Sequence, residues 1–318
     1  MNRRTRVLVE ALRRLPRPEV PSDRYLAGLR RELPRPMARV LLGPVGAEVA
    51  IRDITVPSSD TLLPARVYRR RTADAALQPM VINFHGGGFV FGNLTAADWL
   101  CGQVAARAEV TVISVGYRLA PEFPAPMPFL DSWTATQWLI RNAALLDADP
   151  LRVSLMGESA GGNLAALIAL ASRDQSRVDP AWPRLSRQIL AYPAVDLTLS
   201  SASISELADG PMLRRATLDW YGRLYLPQGL QTSIPADDPR VSPIFASDHS
   251  DLPPTLIIAA GEDPLRDDAI RYAEVLSAAG VAVESRMYES AIHGFLSIPL
   301  FEPTAYEALH AIVDSLAA

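Results

Sequence analysis

Residues 151–163 read Leu151-Arg152-Val153-Ser154-Leu155-Met156-Gly157-Glu158-Ser159-Ala160-Gly161-Gly162-Asn163, and the helix formers Leu164-Ala165-Ala166-Leu167-Ile168-Ala169-Leu170-Ala171 follow at once. An apolar, strand-like run thus enters a Gly-x-Ser-x-Gly pentapeptide and a helical run leaves it. A serine is a strong nucleophile only if its oxygen projects into a site while its backbone turns sharply. Side chains at the two flanking glycines would collide with the neighbouring strand and helix. The stretch therefore predicts a strand, a nucleophile elbow at Ser159 and a helix, the local unit of an α/β architecture.

Upstream, Val81-Ile82-Asn83-Phe84 reads as a second strand and ends in His85-Gly86-Gly87-Gly88-Phe89. Successive glycines let the amides of Gly87 and Gly88 point at one spot, where with the amide of Ala160 they could hold an oxygen acquiring negative charge. Such preorganised donors are worth roughly 3–4 kcal/mol each. The alternatives are a plain glycine turn or a phosphate loop; one of the Walker type would need a lysine after its glycines, but all 31 basic residues of this chain are arginine. The same absence excludes a lysine Schiff base and a Ser-Lys dyad.

A serine nucleophile needs a base and an acid, expected in the order Ser, acid, His. Three histidines follow Ser159. His310 falls in an amphipathic C-terminal helix over Thr304–Asp314, and His249 in a polar loop, Ser247–Asp251, that caps or solvates. His293 follows a strand-like run, Val283–Tyr288, and precedes Gly294-Phe295, which places it past a strand's carboxyl end as the expected base. For the acid, Thr255-Leu256-Ile257-Ile258-Ala259-Ala260 reads as a buried parallel strand, and Gly261-Glu262-Asp263-Pro264-Leu265 leaves its end. Asp263 is the expected acid and Glu262 a minor competitor. Asp267 and Asp268 open a helix, where carboxylates commonly serve the helix dipole.

With these residues assembled, the chain resembles the hormone-sensitive-lipase-like family of α/β-hydrolase carboxylesterases. The resemblance rests on His85–Phe89, Tyr117-Arg118-Leu119-Ala120-Pro121-Glu122, Gly157–Gly161, Asp263-Pro264-Leu265 and His293-Gly294-Phe295. It implies an α/β-hydrolase fold, with Ser159 as nucleophile, Asp263 as acid, His293 as base and Gly87, Gly88 and Ala160 as oxyanion donors. It also implies that His85 and the Tyr117–Glu122 segment order loops rather than react. Its substrates would be short- to medium-chain acyl esters, hydrolysed through an acyl-enzyme without metal or organic cofactor. Glu158 departs from the Asp that many relatives carry, which bears on subgroup and substrate preference. A lactone, formamide or N-acyl amide hydrolase could use the same triad. A non-catalytic small-molecule receptor on this fold is disfavoured because Ser159, Asp263 and His293 are all present.

Composition agrees with this reading. Of 318 residues, 49% are hydrophobic and 21% charged, ordinary for a globular chain. A formal charge of −4 offers no basic surface for nucleic acid. The single cysteine, Cys101, permits no internal disulfide, fits a reducing, cytoplasmic setting and falls in a helical run where packing is its expected role. The N-terminal residues Met1–Leu15 read as a short amphipathic helix, since Glu10, Arg13 and Arg14 interrupt any export core. No stretch is long enough to cross a membrane, so stable insertion is not expected. The partner expected is a small-molecule ester, with assembly into a homodimer left open.

Strands alternating with helices from about residue 79 predict one large α/β unit with additions. Residues 1–45, broken at Pro16-Arg17-Pro18 and Pro34-Arg35-Pro36, form the N-terminal part of a cap. Residues 46–196 form the first part of the catalytic core, opening with an antiparallel pair at Val49–Val56 and Leu63–Tyr68. Residues 197–239 insert the rest of the cap, and 240–318 complete the core. Within the insertion, Met212–Tyr221 reads as a helix that would set Met212, Leu213 and Trp220 on one face, either lining an acyl pocket or packing.

Overall fold

The apolar runs become strands of one sheet in the computed structural model, which describes residues 5–6, 9–10, 22–71, 77–229 and 233–317. In chain order these are β1 (Val49–Pro57), β2 (Leu62–Arg70), β3 (Gln78–Phe84), β4 (Thr111–Val115), β5 (Ala148–Glu158), β6 (Arg187–Ala191), β7 (Thr255–Glu262) and β8 (Val283–Ile292). Side by side they run β1-β2-β4-β3-β5-β6-β7-β8. The expected pair β1–β2 is antiparallel, as is β2–β4, and every later pairing is parallel.

Strand alternation divides the core in two. Ile82, Ile113, Leu155, Ile257 and Ala259 enter one cluster, while their neighbours Val81, Val112, Met156, Leu256 and Ile258 enter the other. Successive side chains of a strand point to opposite faces, so strands buried on both faces read as continuous apolar runs. Helices Asp98–Arg107 (α3) and Thr304–Ala317 (α9) cover one face with Val104, Ala105, Leu309 and Ile312. Helices Met127–Arg141 (α4), Ala160–Val178 (α5) and Arg266–Ala278 (α8) cover the other with Leu139, Leu164, Ile168 and Leu276. Cys101 is fully buried within the α3 layer, in the packing role expected of it.

The order of the strands creates the site. From β3 the chain moves to β4 on one side, then crosses to β5 on the other, so β3 lies between them. Such a reversal leaves a crevice beyond the carboxyl ends of the strands. Phe84 pairs with Gly157 at that edge, which sets the glycine loop after β3 beside the elbow after β5.

Two further pieces border the crevice. The N-terminal piece holds α1 (Asp23–Arg30) and α2 (Arg35–Leu41), and the piece after β6 holds α6 (Ala202–Glu206) and α7 (Arg215–Tyr225). Most of the expected helix at Met1–Leu15 lies outside the described residues. Arg30 ties α1 to the core, donating to the carbonyls of Val90 (2.9 Å) and Ala120 (2.6 Å) and to both carboxylate oxygens of Glu122 (2.7 and 2.8 Å). No helix among the described residues is long and apolar enough to cross a membrane.

One expectation is corrected. The insertion helix begins at Arg215, with Arg214 extended at its N-cap, so Met212 and Leu213 precede it and share no helical face with Trp220. Gly210-Pro211 breaks the chain just before. Leu213 then packs with Ile204, Leu218 and Leu265, whereas Trp220 joins the α4–α5 core and Met212 rests on the α3–α9 core.

Glycine packing gives a direct test. A Cβ at Gly161 would meet the Phe84 carbonyl oxygen at 2.0 Å, whereas one at Gly28, within α1, would meet nothing within 4 Å. Gly161→Ala is expected to lose at least about 3 kcal/mol in urea unfolding, because backbone cannot move aside as a side-chain tip can. Gly28→Ala should instead gain up to about 1 kcal/mol from helix propensity.

Candidate active site

Ser159 occupies a turn that few side chains adopt, with φ 56° and ψ −119° between β5 and α5. Its amide donates to the Ala191 carbonyl (2.9 Å) at the end of β6, and its own carbonyl accepts from the Asn163 amide (3.0 Å), starting the helix. Strain of this kind persists only where surroundings over-determine it. A Cβ at Gly157 would lie 2.1 Å from the Gly161 carbonyl oxygen, so the turn closes only on glycine.

The three residues expected to react together are brought together. The Ser159 Oγ lies 2.9 Å from His293 Nε2, and His293 Nδ1 lies 2.7 Å from Asp263 Oδ2. With Nδ1–H donating to the carboxylate, Nε2 is left to accept from the serine hydroxyl. Asp263 is fully buried at the end of β7, and its other oxygen accepts from the Leu265 amide (2.9 Å). Glu262, the competitor, is exposed.

Asp267 and Asp268 do open α8, but their side chains serve another segment. Asp267 accepts from the Ser203 amide (2.9 Å), and the buried Asp268 accepts from the Ser201 hydroxyl (2.6 Å) and the Asp196 amide (3.2 Å). Ser203 Oγ in turn donates to the Pro264 carbonyl (2.6 Å). The insertion is thereby stapled to the loop that bears Asp263, a role beyond the helix dipole and invisible without the fold.

The glycine loop approaches the elbow closely, since a Cβ at Gly86 would lie 3.2 Å from the Glu158 carbonyl oxygen. Gly87 and Gly88 sit at φ 122° and 60°, where L side chains are strained. Among the described residues, the amides of Gly87, Gly88 and Ala160 give no hydrogen bond to the protein; Ala160 belongs to the first turn of α5, whose amides have no intrahelical acceptor. His85 is buried, its Nδ1 is 2.8 Å from the Gly86 carbonyl, its ring stacks on Tyr117, and the Tyr117 hydroxyl donates to the His85 carbonyl (2.7 Å). Burial pushes its imidazole down to about 4, so it stays neutral and orders the loop.

The other histidines stand apart. His310 is exposed beside Arg107. His249 is buried rather than solvated, with Nε2 2.9 Å from the Pro243 carbonyl and its ring edge-on to Tyr272. The polar surroundings that suggested a solvated loop are Asp248 and Asp251, which both pair with Arg177.

A cavity of about 370 Å³ opens on Ser159 and His293. Met212, Leu213 and Trp220 all line it, although not from one helix face. Leu197, Leu199 and Leu265 complete an aliphatic wall, and Phe91, Tyr221 and Tyr25 an aromatic one. Tyr221 and Phe91 escaped the sequence reading. The signal was weak, an aromatic beside Trp220 and another two positions past Phe89. Tyr221 lies so close to the glycine loop that a Cβ at Gly88 would meet its ring at 2.4 Å.

A family model described as the α/β-hydrolase fold matches residues 81–297, from β3 to just past His293. This chain belongs to that family. Its hormone-sensitive-lipase-like character agrees with its relatives. Esterase LipI of Mycobacterium tuberculosis is 38% identical over 279 residues, covering 87% of this chain and 82% of LipI. Carboxylesterase NlhH of the same species is 41% identical over 262 residues, covering 82% and 80%. The solved structure of an esterase from Pyrobaculum calidifontis superposes with a TM-score of 0.84 at 32% identity, covering 100% of this chain and 98% of that one.

The buried acid of this hydrolase's staple yields a pH prediction. Burial pushes Asp268 up to about 7, with Asp196 nearby adding to the effect. A carboxyl raised in the folded state binds its proton more tightly there than in the unfolded chain. Its contribution is therefore fully present below about pH 4 and is lost as pH rises through about 7. Asp268→Asn removes that term, so in urea unfolding the variant should gain on the parent protein as pH rises from 4.5 to 7.5.

Proposed function

We propose that this carboxylic ester hydrolase acts through Ser159, His293 and Asp263 by two-step acyl transfer. The observation that carries the reading is the unbroken relay of 2.9 and 2.7 Å from Ser159 Oγ through the imidazole to a buried carboxylate. The ester-hydrolase class is supported by family membership and by relatives named as esterases.

His293 Nε2 takes the hydroxyl proton as Ser159 Oγ attacks the ester carbonyl carbon. Asp263 holds the ring in the productive tautomer and stabilises the imidazolium. The carbonyl oxygen, now negative, is received by the free amides of Gly87, Gly88 and Ala160. The tetrahedral intermediate collapses, the C–O bond to the alcohol breaks, and the imidazolium returns its proton to that alcohol. Water then repeats the sequence on the acyl-enzyme, giving the carboxylic acid and restoring Ser159.

Residues 1–45 and 197–239 act as the cap over this site. Tyr25 enters the cavity from the first, and Met212, Leu213 and Trp220 enter it from the second. An aliphatic wall in a cavity of about 370 Å³ suits short- to medium-chain acyl groups.

Ser159→Ala should lower kcat by about 10⁴-fold or more on p-nitrophenyl butyrate at unchanged circular dichroism. Normal turnover by that variant would remove the mechanism altogether. Asp263→Asn should depress kcat strongly, by favouring the wrong tautomer, whereas Asp267→Asn should act on melting temperature instead.

For the pocket, Leu213→Ala is expected to shift preference toward bulkier acyl chains, changing relative kcat/KM by up to tens-fold between acetate and decanoate esters. A profile that drops in parallel at every chain length, with a lowered melting temperature, would assign Leu213 to packing alone.

A further inference from the structure

The residue before the nucleophile, Glu158, is buried, 7% exposed, and both its carboxylate oxygens are occupied. Ser297 Oγ donates to Oε1 at 2.7 Å, and the Tyr192 hydroxyl donates to Oε2 at 2.5 Å. Ser297 lies four residues past His293, in the short helical turn Phe295–Ser297 that ends the histidine's loop. Tyr192 follows β6 at the uncommon φ of 36°, and its ring stands edge-on to that of His293, with centroids 5.0 Å apart. One carboxylate therefore joins the elbow of Ser159, the loop of His293 and the ring packed against the imidazole. Burying a carboxylate is costly unless it is fully hydrogen-bonded, and neither bond closes a strand or a helix. The placement is explained by what it holds.

We propose that Glu158 is a positioning residue, whose carboxylate locks the histidine loop to the serine turn and favours the imidazolium formed when His293 takes the serine proton. This rests on the triad reading above.

The titratable groups facing Glu158 are Tyr192, Tyr117, Cys101 and His293. Burial holds Tyr192, Tyr117 and Cys101 in their neutral forms, and His85, beside Tyr117, is neutral as well. Tyr192, Asp263 and Glu158 face His293. Among the described residues, the carboxyl groups set around the imidazole are thus those of Asp263 and Glu158. Burial raises the Glu158 carboxyl, while its two donors and the neighbouring imidazole pull it back toward the charged form.

The test is the pH profile of kcat/KM on p-nitrophenyl butyrate for the full-length protein. Glu158→Gln keeps shape and removes charge. Its plateau should fall about tenfold and its acid-limb midpoint should move down by roughly half to one pH unit, one unit being a tenfold change in equilibrium. Glu158→Asp should return the midpoint. Ser297→Ala, which leaves the charge but frees the loop, should lower kcat several-fold at unchanged KM.

A Glu158→Gln enzyme with parental plateau and midpoint would overturn the proposal. So would a plateau that falls only in step with melting temperature at an unmoved midpoint. If Glu158→Gln does not fold, parental kcat in Ser297→Ala overturns it instead. Each variant is also titrated with diethyl p-nitrophenyl phosphate. Retained labelling of Ser159 alongside unaltered kinetics counts against Glu158 and leaves the triad standing, whereas activity in Ser159→Ala would count against the triad itself.

Discussion

The contact on which the site depends is between two backbones. The Cα of Gly161, in the first turn of α5, lies under the Phe84 carbonyl at the end of β3, close enough that a Cβ would meet that oxygen at 2.0 Å. Because Phe84 also pairs with Gly157, the elbow and the glycine loop are held at one separation by strand pairing on one side and by glycine packing on the other. The glycine loop, with its free amides, and the turn bearing the Ser159 hydroxyl are thereby set side by side at the crevice. A preorganised donor set works because nothing must reorganise when charge develops, and in the mechanism proposed above this contact would be what keeps the set rigid.

Around that fixed point the fold gathers charge with care. Asp263 is buried but satisfied by His293 and by the Leu265 amide. Asp131 is equally buried and holds Arg118 through two side-chain bonds of 2.8 and 2.7 Å, bracing the turn after β4. Arg66, 5% exposed, meets Asp98 at 2.8 Å beneath the N-terminal piece. Breaking such a pair leaves a lone buried charge, so these contacts give the loops one arrangement rather than a large net stability. The staple of Asp196, Ser201, Ser203, Asp267 and Asp268 does the same for the insertion, linking the wall of the cavity to the loop that bears Asp263.

The parts legible from sequence are those in which a local backbone shape demands particular residues. The strand, elbow and helix around Ser159, the glycine loop after Phe84, and the buried parallel strands could each be read because sterics and alternation act over a few positions. The insertion helix is present but starts at Arg215 rather than at Met212, for the complementary reason. Its apolar spacing fits a helix, but Gly210-Pro211 and the burial of Leu213 against Ile204 and Leu265 override propensity. His249 likewise has polar neighbours in sequence and a buried ring in space.

By itself, the sequence determined the fold class, the strand, turn and helix around Ser159 and the order in which Ser159, Asp263 and His293 occur, since each follows from short-range geometry and chain order. Only the tertiary structure decided that Glu262 faces solvent while Asp263 meets His293, that Arg30 reaches across to Glu122, and that Tyr192 and Ser297 converge on Glu158. Those contacts join residues from 30 to 139 positions apart. Their distances depend on how the strands are ordered in the sheet, which no local pattern of residue types encodes.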